Sequence, residues 1–192
     1  MAQYKAFNTQ VEVNGETILS VVKGMVAQDM AVKILADNKI NNPKPGNWYS
    51  QQNWLNAFRN IGEKISSLAL LEIGKKIPDN AQWPPQIKTI DQALSSIDVA
   101  YHLNHRLNGR IMFDPATGNM QEGIGHYGYE KTGSKTAKMV CNNPYPCEFD
   151  RGIIQSVALK FKPEGSRPVV LHDDTKPCRK KGADSCTYNI SW

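Results

Sequence analysis

The hydrophobic period of this 192-residue chain changes once, near Gly109, and that change limits its fold more than any other feature. Before it, apolar residues recur at the 3.6-residue spacing of helices; after it they alternate as they do on strands. Helices followed by strands predict an α+β domain, with N-terminal helices packed on a C-terminal antiparallel sheet of about five strands and one inserted helix. The length suits a single domain, mainly helical over 1–107 and sheet-forming over 108–192.

In the first part, Gln10–Val13 alternates as a short strand and Asn14-Gly15 is a turn signal. Ile18, Val21, Val22, Met25, Val26, Met30 and Ile34 then predict a helix over Thr17–Leu35. A second helix is expected from about Ser50 to Gly74, with a wide apolar stripe from Trp54 to Ile73, and KKIPDNAQWPPQ should break it. A third should cover Thr89–Arg106, with Thr89 as its cap. Beyond Gly109, strands are expected at Arg110–Asp114, Gly123–Tyr129, Ala137–Cys141, Val169–Thr175 and Cys186–Trp192. The inserted helix should run from about Asp150 to Phe161.

Composition excludes several classes. A hydrophobic fraction of 40% is globular rather than disordered. The 23 basic and 18 acidic residues are scattered, and the longest basic cluster, Arg179-Lys180-Lys181, is too short to argue for nucleic acid. The opening MAQYKAFNTQVEVNG lacks the apolar core of a signal peptide, and no apolar run approaches the ~20 residues of a membrane span. A cytoplasmic protein is the expectation, and a reducing compartment argues against disulfides.

All four cysteines lie in the last 52 residues, two in CNNPYPC (Cys141, Cys147) and two in CRKKGADSC (Cys178, Cys186). Gathered where strands meet a helix start, they suit zinc, which takes soft thiolates in a closed tetrahedron. The same thiols can equally be small buried hydrophobes, or pair if the protein is exported. The spacing is not that of a zinc ribbon, so the residues leave these readings open.

No GxSxG, GxxxxGK[ST], GxGxxG after a strand or HExxH is present. His102 and His105 stand at i, i+3 near the predicted end of the third helix, a position that favours cations without any function. His126 sits among aromatics in GIGHYGYE. A pocket is expected from His126, Tyr127 and Tyr129, with His102 and Tyr101 from the third helix, because aromatics pair apolar area with a polar tip. Neighbouring strand residues face opposite ways, so His126 and Tyr127 cannot both point inward without a bulge.

The run CRKKGADSC, together with PYPCEFDRGII, closely resembles the end of the vinyl-reductase-type ligand-binding domain, which also forms the aromatic-sensing part of XylR-type activators. The resemblance implies helices on an antiparallel sheet, a fold shared with haem–NO-binding domains and vesicle-tethering subunits. It implies a small-molecule pocket, often a homodimer, and structural zinc held by three cysteines and a glutamate. Carried over by motif, the cysteines are Cys147, Cys178 and Cys186; the glutamate's place holds Thr175. Cys141, across the NPYP turn, is the expected fourth ligand, with Asp173 the runner-up. Haem is read against: no YxSxR-like element and no CxxCH is seen.

Those activators continue into ATPase and DNA-binding parts, whereas this sequence ends at Trp192. The expectation is therefore a stand-alone sensor or carrier of a small, partly apolar organic molecule, acting through a signalling partner or as a homodimer. The competing reading is an enzyme on such a ligand, with His126 as acid or base.

Overall fold

The computed structural model describes residues 3–25 and 28–192. Val26 of the expected first helix lies outside the described residues. The architecture is α+β, with two antiparallel four-stranded sheets and seven α-helices among the described residues.

The helical half is more finely divided than its periodicity suggests. After strand β1 (Val11–Asn14), the side chain of Asn14 accepts from the Thr17 N–H and opens α1 (Gly15–Gly24). The chain is extended at Met25 before α2 (Gln28–Asp37), so the expected Thr17–Leu35 helix is two helices. Glycine is a poor helix former, and here it ends the first of them. After β2 (Trp48–Ser50), Ser50 caps α3 (Gln51–Lys64) and Ser66 caps α4 (Ser67–Asn80). The Ser66 hydroxyl gives the backbone an alternative partner, which splits the expected Ser50–Gly74 helix.

Helix α4 runs through Pro78, which was expected to break it. Proline's missing N–H would have met the carbonyl of Gly74, where the backbone of α7 (Cys147–Lys160) comes against α4. A Cβ on Gly74 would stand 2.1 Å from the Phe149 carbonyl oxygen, and one on Gly152 would stand 2.2 Å from that of Leu71. The two glycines permit the crossing. The expected third helix is α5 (Ile90–Ser95), opened by a Thr89–Gln92 capping box, and α6 (Ile97–Leu103). His102 lies in the last turn of α6, while His105 has moved onto strand β3 (His105–Leu107).

The first sheet has the order β2-β1-β3-β4, where β4 is Arg110–Ile111. Asn108 and Gly109, both at positive φ, form the two-residue turn between β3 and β4. Thus the Arg110 segment belongs to this small sheet and not to the main one. The second sheet has the order β5-β6-β8-β7, formed by Tyr127–Gly133, Thr136–Cys141, Cys186–Ser191 and Val169–His172. Helix α7 is inserted between β6 and β7, starting three residues before the expected Asp150. The expected Gly123–Tyr129 strand begins only at Tyr127. Gly125 holds φ 74°, and a Cβ on it would stand 2.4 Å from the Asn142 carbonyl oxygen. One apolar core joins Trp54 and Phe58 of α3 to Tyr145, Phe149 and Ile154 around the start of α7, and to Met139 and Tyr188 on the second sheet.

Candidate ligand cavity and cysteine cluster

An apolar cavity of about 510 Å³ opens between α6, the end of α4, the 81–87 loop and the face of α7 that carries Phe149, Ile153 and Val157. Pockets of 300–1,000 Å³ with few polar groups are the size of small-molecule sites. Tyr101, His105, Tyr127 and Tyr145 contribute to its wall, with Trp83 and Phe113. Of the expected pocket residues, the structure places Tyr101 and Tyr127 here. His102, His126 and Tyr129 are not among the lining residues.

His105 is the one imidazole on that wall. Its Nδ1–H donates to the Tyr101 carbonyl (2.7 Å), and its Nε2 accepts from the Tyr145 hydroxyl (2.8 Å). Burial outweighs the carbonyl bond and pushes its pKa down to about 4, so the imidazole is neutral at physiological pH. Burial likewise raises the phenols of Tyr101, Tyr127 and Tyr145. Sequence reasoning singled out His105 but set it on a helix beside His102. The Asn-Gly turn that follows it, with its hairpin strands, was the available signal for strand β3.

The Tyr127 hydroxyl donates to Asp150 Oδ1 (2.6 Å), and the other Asp150 oxygen accepts from Arg179. Arg179 also donates to Asn143 and, through its backbone N–H and Nε, to the Cys186 sulfur (3.4 Å each). A buried polar chain therefore joins the cavity wall to the cysteines. Burial raises the Asp150 carboxyl to about 6 even with Arg179 beside it.

Cys147, Cys178 and Cys186 come together, their sulfurs 3.0, 3.6 and 3.7 Å apart, and none is in a disulfide. Four ligands around zinc at Zn–S of about 2.3 Å place sulfurs about 3.8 Å apart. Cys141 is buried and pairs with Cys186 across β6 and β8, but the fourth member of the group is His172. Its Nδ1–H donates to Asp174 (2.8 Å), which leaves the lone pair on the buried Nε2, the nitrogen turned toward the Cys186 sulfur. A carboxylate that fixes the tautomer of a histidine ligand is a recurring feature of metal sites. The Cys186 thiol is pushed down, first by the hydrogen bond from Cys147 and then by Arg179; Cys147 is pushed up by that same bond and by burial. Asp173 is turned to Thr175 and Asn189 instead. Sequence reasoning missed His172 because it lies six residues before Cys178 on another element, with no motif around it.

A further cluster joins α6 to β5. Asp98 Oδ2 meets His126 Nδ1 at 2.8 Å, and His126 Nε2 reaches Glu122 at 3.1 Å. Burial disfavours the charged ring of His126, but the two carboxylates outweigh it and raise its pKa.

No family model and no curated protein matches the chain. Solved structures do. An H-NOX protein from S. oneidensis in the Fe(II)NO ligation state is 12% identical with a TM-score of 0.64, covering 92% of this chain and 97% of that one. An Fe(II) unliganded H-NOX protein from K. algicida is 12% identical with a TM-score of 0.63, covering 93% and 95%. A structure that probes haem distortion in the H-NOX family is 14% identical with a TM-score of 0.63, covering 93% and 94%. The chain therefore has the fold of the haem–NO-binding domains; these neighbours do not confirm the narrower vinyl-reductase and XylR-type likeness. These neighbours overturn the expectation set against haem, since its argument from missing motifs gave no weight to a fold that carries haem in proteins this different in sequence. The cavity fits haem at the iron: a neutral imidazole is the form that ligates, and His105 supplies one from an apolar wall. Its other polar lining residues, Thr17, Gln82, Gln86, Ser96 and Asn104, are uncharged.

Proposed function

We propose that residues 1–192 form one small-molecule-binding sensor domain whose ligand chamber is the apolar cavity and whose candidate cofactor is haem. The observation that carries this reading is the cavity itself, with one neutral imidazole in a wall that is mostly apolar and aromatic and otherwise uncharged. Haem bound there would supply an iron that takes a diatomic gas. His105 would hold the iron through Nε2 while its Nδ1–H bond to the Tyr101 carbonyl keeps the ring oriented; Tyr145 would give up its bond to Nε2. Tyr127 and Phe149 shape the chamber and exclude water. Haemin titration tests the reading. A sharp Soret band at one equivalent, lost in His105→Ala, supports it. Absence of the band, together with no uptake of small aromatic ligands, overturns it.

Cys147, His172, Cys178 and Cys186 supply a closed structural zinc site in this reading. With four protein ligands no position remains for water, so the ion would tie β7 and β8 to the start of α7 rather than do chemistry. Elemental analysis finding one zinc per chain supports the site, and zinc-free protein with all four thiols free overturns it. The competing enzyme reading has no support from His126, which is engaged by two carboxylates and is absent from the cavity lining.

A further inference from the structure

We infer that Asp98, His102 and His126 form a second metal site, open and exchangeable, that takes a divalent transition-metal ion of the zinc class on nitrogen and oxygen ligands. Ligand atoms of the three residues lie within 4.8 Å of one another, each from a different turn or element. Asp98 and His102 stand one helical turn apart on α6, and His126 lies just before β5. An imidazole pair with a carboxylate suits zinc, nickel, copper or iron, and carries none of the softness that selects metal at the thiolates.

The arrangement of His102 is the second observation. The ring is fully buried, and its Nδ1–H donates to the Asp98 carbonyl at 2.8 Å. That leaves the lone pair on Nε2, a buried atom with no hydrogen-bond partner. A buried polar atom without a partner is costly and calls for an explanation. The rings of His102 and His126 lie 5.0 Å apart with 32° between their planes, so the two imidazoles are packed side by side. The Asp98 carboxylate is fixed from the other side, because Oδ1 accepts from the Tyr127 N–H at 2.9 Å. An anchored carboxylate beside two imidazoles is a ligand set that needs little rearrangement. Glu122, with a side chain 79% exposed, holds the opposite ring nitrogen of His126, Nε2, from solvent, and so orients the ring without joining the ligand set. Three protein ligands and an open position describe an accessible site rather than a structural one.

The site is placed to report on the chamber. Ile97, Tyr101 and Val99 of α6 line the cavity, while Asp98 and His102 of the same helix hold the metal. An ion here clamps α6 to the start of β5, whose Tyr127 is also on the cavity wall.

Cobalt is the probe. The purified protein, dialysed against metal-free buffer without chelator so that any thiolate-bound ion stays, is titrated with Co²⁺ and followed by visible and near-ultraviolet absorption. The expected result is one equivalent taken up with ligand-field bands and without the near-ultraviolet charge-transfer band of a cobalt–thiolate bond. His126 is only partly buried, so His126→Ala should keep the fold by circular dichroism. It should weaken cobalt binding by more than the roughly 10–100-fold that loss of an outer-shell partner costs. Asp98→Asn should weaken it similarly. No uptake by the wild type, uptake with a thiolate band, or uptake unchanged in both folded variants would each overturn the site.

Discussion

The Asp150 carboxylate and the Arg179 guanidinium form an ion pair inside the core, with side chains 0% and 1% exposed. The pair lies between Tyr127 of the cavity wall and Cys186 of the sulfur cluster, so one buried polar chain spans both candidate sites. Neither charge has water to fall back on. Arg179→Met is expected to cost about 3–5 kcal/mol, because it leaves the carboxylate buried and unpaired. Replacing both partners with apolar residues of similar volume should cost less than removing the arginine alone. Urea unfolding of the single and double variants measures both; equal losses would show that the pair itself supplies the stability.

The crossing of α4 and α7 makes a steric prediction. Gly74→Ala and Gly152→Ala each force a methyl group against a backbone carbonyl at about 2 Å, and a backbone atom cannot rotate away. Each substitution should exceed the about 1–3 kcal/mol of ordinary overpacking. For a domain of this size that lowers Tm by at least about 2–4 °C for each kcal/mol, read by thermal unfolding.

At the sulfur cluster, Asp174 fixes the tautomer of His172 without touching the metal position. Asp174→Asn should therefore loosen zinc by roughly 10–100-fold while leaving the fold intact. Competition with a chromogenic chelator gives that ratio. Full removal of the ion should lower Tm, because metal binding contributes to the free energy of folding. A protein whose Tm ignores chelation would place the ion elsewhere.

What was legible in the sequence follows from range. The period change near Gly109 gave the α+β class, because the burial of one face is written every two or every 3.6 residues. The pairing of Cys147 with Cys178 and Cys186 was legible only through a motif. The helix breaks at Gly24 and Ser66 were hidden, since one cap or one glycine acts within a continuing apolar stripe. His172 and the cavity were out of reach for another reason. Both are made by tertiary register: β7 against β8 for His172, and α6 against α7 and the 81–87 loop for the chamber. Tyr145 came to the wall from a turn that reads as polar punctuation in the sequence, and it positions His105 from there.

His105 carries the last prediction. In the folded protein its pKa is pushed down to about 4 by burial, against about 6.5 in the unfolded chain. The native state therefore refuses a proton that the unfolded state accepts between those values. Stability should rise with pH through the window from about 4 to 6.5, be fully present above it, and be lost as pH falls back through it. A shift of that size corresponds to about 3 kcal/mol. His105→Gln keeps a side chain able to reach Tyr145 but cannot titrate, so it should remove this part of the pH slope. The measurement is the difference between the two proteins in unfolding free energy from pH 4 to pH 7.5, without added haem. A difference that stays constant across that range would mean that the His105 ring is protonated in the core or open to water, and that the cavity wall is not as dry as its lining implies.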